Sequence, residues 1–126
     1  MKKLVYKFLF PIAFSSLVIM LLVSFQVQHA KVTGTWNMTV ETGAGSGTPV
    51  FVLKQESDTL ITGTYKGQFG EAPVKGTIKL NKINLKFSAS DMEIEYTGII
   101  EGNGVKGKVV FGTYGDGIFT GTRTDK

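Results

Sequence analysis

Apolar and polar residues alternate along most of this chain after Lys31, in short segments separated by turn residues. The alternation is clearest in residues 74–80, 83–89, 93–100 and 105–111. Because neighbouring side chains of a β-strand point to opposite faces of its sheet, a period of two is typical of an antiparallel strand with one buried face. No window after Lys31 has a convincing helical period. The pattern therefore predicts an all-β domain.

Four further segments complete a set of eight predicted strands, at residues 32–42, 48–55, 60–67 and 118–123. An antiparallel meander of eight strands has two open edges unless its first strand pairs with its last, and open edges promote aggregation. Closure into a barrel removes both edges. We therefore expect an eight-stranded antiparallel up-and-down barrel, with a β-sandwich of the same strands as the alternative.

The predicted connections are short and contain turn-forming residues. Asn81-Lys82 and Ser90-Asp91 have the length of two-residue hairpin turns, and Asn103-Gly104 is the residue pair that favours a type I′ turn. Residues 43–47 are rich in glycine and are expected to form a flexible connection. Since every connection is short, strands that follow one another in the sequence are expected to pair in space.

Glycine recurs inside the predicted strands. The tripeptide Thr-Gly-Thr occurs at residues 33–35, 62–64 and 120–122. A glycine within a strand allows a tight bend or a close approach of neighbouring backbones. We therefore expect a flattened barrel with less room for a ligand than eight strands would otherwise enclose.

The first 30 residues have the composition of a targeting segment. Lys2, Lys3 and Lys7 precede a stretch without charged residues that ends at His29, and Ala30 is the expected cleavage position. Residues 1–30 are thus predicted to be a hydrophobic helical signal peptide, or an anchor that stays in the membrane. Residues 31–126 are predicted to be one exported domain, which is periplasmic or secreted, or is held on the outer side of the inner membrane.

The charge of the chain does not indicate a nucleic-acid-binding protein. Its formal net charge is +4, but Lys2, Lys3 and Lys7 lie in the targeting segment, which leaves 11 basic and 10 acidic residues after residue 30. A mixed surface of this kind lacks the basic stripe that follows a phosphate backbone. Contact with a membrane is expected only through the N-terminal segment.

No pattern of residues predicts catalysis, a cofactor or a metal ion. The chain has no cysteine, and its one histidine, His29, lies at the end of the targeting segment. Glu93 and Glu95 are expected on the outer face of one strand, where they cannot face each other across a cleft. Asp116 is expected to be a turn residue, because too few oxygen ligands for calcium lie near it in the sequence. We predict that the protein is not an enzyme.

Two short motifs resemble the calycin superfamily, which includes lipocalins, fatty-acid-binding proteins and avidins. The first strand begins Gly34-Thr35-Trp36, and the last ends Gly121-Thr122-Arg123. The resemblance implies that Arg123 stacks on Trp36 and covers one end of the barrel. The whole segment after residue 30 also resembles a glycine- and threonine-rich β-domain of exported bacterial proteins, for which no activity is implied.

Two functions are compatible with such a barrel. In the first, a small apolar ligand binds in a pocket at the barrel mouth, with Tyr65, Tyr96 and Phe111 as its candidate binding residues. In the second, the aromatic residues only fill a solid core, and the protein is a structural or protein-interaction module of the cell envelope. The volume and lining of the barrel interior distinguish the two functions.

Overall fold

A computed structural model describes residues 28–125, and residues 1–27, which hold most of the predicted targeting segment, lie outside the described residues. The described chain is all-β. Its nine strands are β1 Gly34–Thr42, β2 Gly45–Gly47, β3 Val50–Gln55, β4 Leu60–Gly67, β5 Gly70–Lys79, β6 Lys82–Ala89, β7 Met92–Glu101, β8 Gly104–Phe111 and β9 Asp116–Asp125. Within this range no helix is long and apolar enough to cross a bilayer.

The nine strands form one sheet that closes on itself. Each strand from β3 to β8 pairs antiparallel with the next, and β9 pairs along the length of β1. β2 and β3 share one position, because β2 pairs with the last residues of β1 and β3 with the first. The fold is therefore a closed eight-stranded up-and-down barrel, as predicted, and the sandwich alternative is wrong.

The glycine-rich connection after β1 is more regular than its composition predicts. The side chain of Thr42 orders the turn, since its Oγ1 accepts a hydrogen bond from the Ala44 N–H (3.1 Å) and donates one to the Gly45 carbonyl (3.0 Å). Residues 45–47 then pair with β1 as β2. A three-residue strand of glycine and serine has no alternation to read, so its pairing could not be predicted from the pattern.

Two hairpin turns are displaced by one residue from their predicted positions. Lys79 pairs with Lys82 and Glu101 with Gly104, so the turns are residues 80–81 and 102–103. The apolar register explains both shifts, because Ile78 pairs with Ile83, and Ile100 with Val105. A slip of one residue would turn these side chains out of the core.

One end of the barrel is closed by the chain that leads into β1. We call residues 28–33 the N-terminal strap. Val32 is completely buried, and its N–H donates to Gln55 Oε1 at 3.0 Å. The Trp36 Nε1–H donates to the Val32 carbonyl at 2.8 Å. His29 and Ala30 bind the turn at Leu80, whose N–H donates to His29 Nδ1 (2.8 Å) and whose carbonyl accepts from the Ala30 N–H (2.7 Å).

Arg123 connects the strap to the rest of the closed end. Its guanidinium carbon lies 5.0 Å from the centroid of the Trp36 ring, so the two residues that the calycin resemblance pairs are in contact. The same group donates hydrogen bonds to the carbonyls of Lys31 (2.9 Å) and Thr33 (3.3 Å). It also donates to Asn103 Oδ1 and the Gly102 carbonyl in the β7–β8 turn.

The closed half of the barrel has a solid interior. Its buried side chains include Trp36, Met38, Leu85 and Phe119, and the gap between them has no room for a water molecule. Inward-facing glycines allow this packing. At Gly98, a Cβ atom would lie 2.6 Å from the Lys106 carbonyl oxygen and 2.9 Å from the Phe119 ring. Glycine therefore permits close packing in this half of the barrel.

Gly98→Ala is expected to lower the free energy of unfolding by about 1–3 kcal/mol, because the added methyl group overpacks the site between Lys106 and Phe119. Gly104→Ala is the matched control. A Cβ atom at Gly104 is in ordinary contact, 3.5 Å from the Glu101 carbonyl. We expect this change to stay within about 0.5 kcal/mol of the wild type. Urea denaturation measures both, and equal effects would contradict the close packing described for Gly98.

Candidate ligand-binding site

A cluster of aromatic rings separates the solid half of the barrel from its open end. Phe51 is completely buried and makes edge-to-face contacts with Tyr65, Phe87 and Tyr96, at centroid distances of 5.4, 5.7 and 5.0 Å. Tyr65 and Phe87 stack at 4.4 Å, and Tyr96 meets Phe119 edge to face at 4.9 Å. Tyr65, Phe87 and Tyr96 alternate with outward polar residues along their strands, whereas Phe51 is flanked by valines on β3.

Above this cluster lies a cavity of about 740 Å³. Tyr65 and Tyr96 line its deep part. Its walls come from the connections at the open end of the barrel. These are residues 43–49 after β1, Gln68 and Phe69 in the β4–β5 turn, Ser90 and Met92 around the β6–β7 turn, and residues 114–116 before and at the start of β9. Val40, Thr42 and Phe111 complete the wall. A volume of this size is typical of small-molecule sites.

The three residues predicted to bind a ligand, Tyr65, Tyr96 and Phe111, all line this cavity. Phe111 is half-buried near the mouth, and its ring centroid lies 6.1 Å from that of Phe69. Tyr65 and Tyr96 are buried, each with 2% of its surface exposed. The cavity thus brings the candidates together, while Trp36 and Arg123 lie at the closed end and take no part in its lining.

The two deep tyrosines differ in their polar contacts. The Tyr65 hydroxyl accepts a hydrogen bond from the Phe69 backbone, and burial raises the pKa of this residue despite that contact. Burial also raises the pKa of Tyr96, and the nearby Tyr65 adds to the effect. Within residues 28–125 the Tyr96 hydroxyl has no hydrogen-bond partner, yet no fully buried side-chain oxygen or nitrogen in this range is unpaired. The Tyr96 hydroxyl therefore reaches the space of the cavity.

The cavity has almost no charge. Asp116 is the one charged residue among the described residues that line it. Other charges point outward, as in the pairs Lys66–Glu71 (3.5 Å) and Lys86–Glu95 (3.6 Å), and Glu95 also accepts a hydrogen bond from Asn84. Within residues 28–125 no group of acidic or histidine side chains has the arrangement of a metal site.

Several residues of the site could not be found in the sequence. Phe69, Met92 and Tyr114 lie in or beside turns, outside the alternating pattern that marked the inward-facing strand residues. Tyr114 is 83% exposed and lies in a turn, in which Gly112 and Gly115 have positive φ angles. A large apolar or aromatic residue within a turn was the available signal, because turns favour small polar residues.

Searches of protein-family models and of curated proteins found no match. Among solved structures, a redesigned β-barrel, mFAP1, bound to DFHBI, is 12% identical over 73% of this chain and 94% of its own, with a TM-score of 0.57. EF1p2_mFAP2b bound to DFHBI is 13% identical over 73% of this chain and 93% of its own, with a TM-score of 0.55. The fold is that of a calycin-like small β-barrel. Fatty-acid-binding protein 1 of Echinococcus granulosus is 12% identical over 73% of this chain and 96% of its own, with a TM-score of 0.48.

Proposed function

We propose that this calycin-like barrel is a binding protein that holds a small apolar ligand in the cavity at its open end. The observation that carries the proposal is the cavity of about 740 Å³, with buried aromatic rings in its deep part and the unpaired Tyr96 hydroxyl open to it. Apolar walls supply affinity through burial, and a small number of polar groups orient the ligand. The redesigned barrel mFAP1 and EF1p2_mFAP2b, which have a similar fold, are each bound to DFHBI, which supports ligand binding by such a barrel.

The proposal assigns no catalytic step to the protein. The chain has no cysteine, and its one histidine, His29, binds the Leu80 N–H at the closed end of the barrel, away from the cavity. A general base or nucleophile has to lie within hydrogen-bond reach of the reacting group. Among the described residues, Asp116 is the one charged side chain that lines the cavity, so the site favours binding over turnover.

The proposal also places the protein outside the cytoplasm, because residues 1–30 have the basic start and long uncharged stretch of an export signal. Cleavage after Ala30 would remove the hydrogen bonds of His29 and Ala30 to Leu80. Val32 and its contacts with Gln55 and Trp36 would stay. Mass spectrometry of the protein from its host shows whether the signal is removed and where.

Ligand binding is tested with N-phenyl-1-naphthylamine, an uncharged apolar dye whose fluorescence rises on burial. We expect saturable binding to the full-length protein, and at least tenfold weaker binding to Gly47→Leu. Gly47 lines the cavity, and a Cβ atom there would lie 3.6 Å from Gln68 Oε1 across the mouth. A leucine at this position therefore narrows the entrance without entering the core.

Gly104→Leu is the control, since it adds the same side chain at the closed end, where a Cβ atom would lie 3.5 Å from the Glu101 carbonyl. We expect this variant to bind the dye as the wild type does. The proposal fails if the folded wild type does not bind the dye, or if both leucine variants bind it equally well. Circular dichroism of each variant shows that the barrel is intact.

A further inference from the structure

The lining of the cavity points to the chemical class of its ligand. We propose that the cavity selects an uncharged ligand with a hydrogen-bond acceptor that receives the Tyr96 hydroxyl proton, and that it discriminates against anionic amphiphiles. This inference rests on the proposed binding function and adds the nature of the polar group. It depends on the hydroxyl at the deep end, the missing cationic partner, and the carboxylates around the mouth.

Tyr96 defines the deep end. Its side chain is 2% exposed, contacts the rings of Phe51 and Phe119 at 5.0 and 4.9 Å, and has no hydrogen-bond partner within residues 28–125. Because this hydroxyl oxygen is not fully buried, it can donate to whatever occupies the cavity, and a ligand that fills the space without an acceptor leaves the donor unpaired at a cost. Burial raises the pKa of this phenol, so it stays protonated and able to donate. A carbonyl, ether or hydroxyl oxygen of a ligand fits this donor.

An anionic group meets no positive charge in the cavity. Among the residues that line it within the described range there is no lysine, arginine or histidine. A carboxylate or sulfonate taken out of water needs a cation or several hydrogen-bond donors to compensate for its lost hydration. The deep end offers only the neutral phenols Tyr65 and Tyr96 and no positive charge, so it compensates an anion less well than it satisfies a neutral acceptor.

The mouth of the barrel adds repulsion. Its strand ends and turns carry carboxylates, of which Asp116 lines the cavity and Asp91 lies in the β6–β7 turn next to the lining residue Ser90. Lys66 lies at the same end but forms an ion pair with Glu71 on the outer face. Like charges repel over distances near the Debye length of about 8–10 Å in physiological salt. An anion therefore meets an unfavourable potential at the entrance as well as in the interior.

Two dyes of nearly equal shape test this selectivity. N-phenyl-1-naphthylamine is neutral, and 8-anilino-1-naphthalenesulfonate is the same framework with one sulfonate. We expect the neutral dye to bind in the cavity at least ten times more tightly, counting as cavity binding only the part that Gly47→Leu removes. Asp116→Asn is expected to narrow this difference by about two- to threefold, because it removes one carboxylate from the mouth.

A second pair tests the role of the Tyr96 hydroxyl. Decanamide should displace the neutral dye at least ten times more effectively than decanoate. Tyr96→Phe should weaken the binding of decanamide about five- to tenfold, and it should leave the affinity for the neutral dye within about twofold of the wild-type value. Thr120→Val is the control, since it removes a hydroxyl from an exposed position of β9 that does not line the cavity, and we expect no change in decanamide affinity.

The outcomes separate this inference from the proposed function. If the sulfonate dye or decanoate binds in the cavity as tightly as its neutral partner, the inference about charge is wrong and the binding function stands. If Gly47→Leu weakens the binding of decanamide but Tyr96→Phe does not, the proposed hydrogen bond from the Tyr96 hydroxyl to the ligand is wrong. If none of these compounds binds in a manner sensitive to Gly47→Leu, both the binding function and this inference are wrong.

Discussion

Trp36→Ala is expected to lower the free energy of unfolding by about 3–5 kcal/mol, in the range of buried aromatic truncations. Trp36 is 1% exposed, and its Nε1–H holds the Val32 carbonyl of the N-terminal strap. Its ring also lies under the Arg123 guanidinium, which itself binds Lys31 and Thr33. The substitution thus creates a void and detaches the strap from the barrel. For a domain of this size the melting temperature should fall by about 15–30 °C.

Two milder variants divide this effect into its parts. Trp36→Phe retains most of the buried ring but leaves the Val32 carbonyl without its donor, which should cost about 1–3 kcal/mol. Arg123→Lys retains the charge but not the planar fork that reaches the strap and the Asn103 turn together. Because Trp36 is the only tryptophan of the protein, its fluorescence reports the opening of this end in Arg123→Lys directly. A loss below 1 kcal/mol in Trp36→Ala would show that the strap is held by other contacts.

The barrel could be predicted because its determinants are repeated along the chain. Each strand from β4 to β8 places apolar residues at every second position, and the burial of residues such as Val74, Leu85, Ile94 and Val109 follows this period. Inward-facing glycines such as Gly98 interrupt the apolar series without shifting its register. Closure by β1 and β9 followed from the need to remove open edges.

Features that depend on a single contact could not be predicted. The turn at Leu80 requires a positive φ of 57° at a leucine, which turn preferences disfavour, and it is set instead by the Ile78–Ile83 register. The strap depends on backbone hydrogen bonds such as that from Ala30 to Leu80, which no residue pattern encodes.

A pocket at the barrel mouth, lined by Tyr65, Tyr96 and Phe111, was one of two alternatives that the sequence left open. Glycines such as Gly98 occur where backbone and rings approach closely, so their number suggested less room for a ligand. The height of each glycine along the barrel decides the outcome, because Gly98 packs against Phe119 in the solid half, whereas glycines such as Gly47 line the cavity. Height depends on strand tilt and register together, and neither is visible in the spacing of a single strand.

Phe51→Ala is the second substitution with a large expected effect, a loss of about 3–5 kcal/mol in the free energy of unfolding. Phe51 is completely buried and is the ring that Tyr65, Phe87 and Tyr96 all contact edge to face. Each such pair adds about 0.5–1.5 kcal/mol beyond the burial of area. Removal of the ring leaves a void beneath both tyrosines of the cavity, which the stacked pair Tyr65–Phe87 cannot fill without a change of rotamer.

Val52→Ala is the matched control for this change. Val52 is the next residue of β3, points outward and is 54% exposed, so its truncation should change stability by no more than about 0.5 kcal/mol. The loss in the free energy of unfolding of Phe51→Leu should lie between those of Phe51→Ala and Val52→Ala, since leucine fills part of the void but restores none of the aromatic contacts. Urea unfolding of the three proteins measures the series. Similar losses in Phe51→Ala and Val52→Ala would contradict the assignment of the two faces of β3, and with it the aromatic cluster on which the cavity rests.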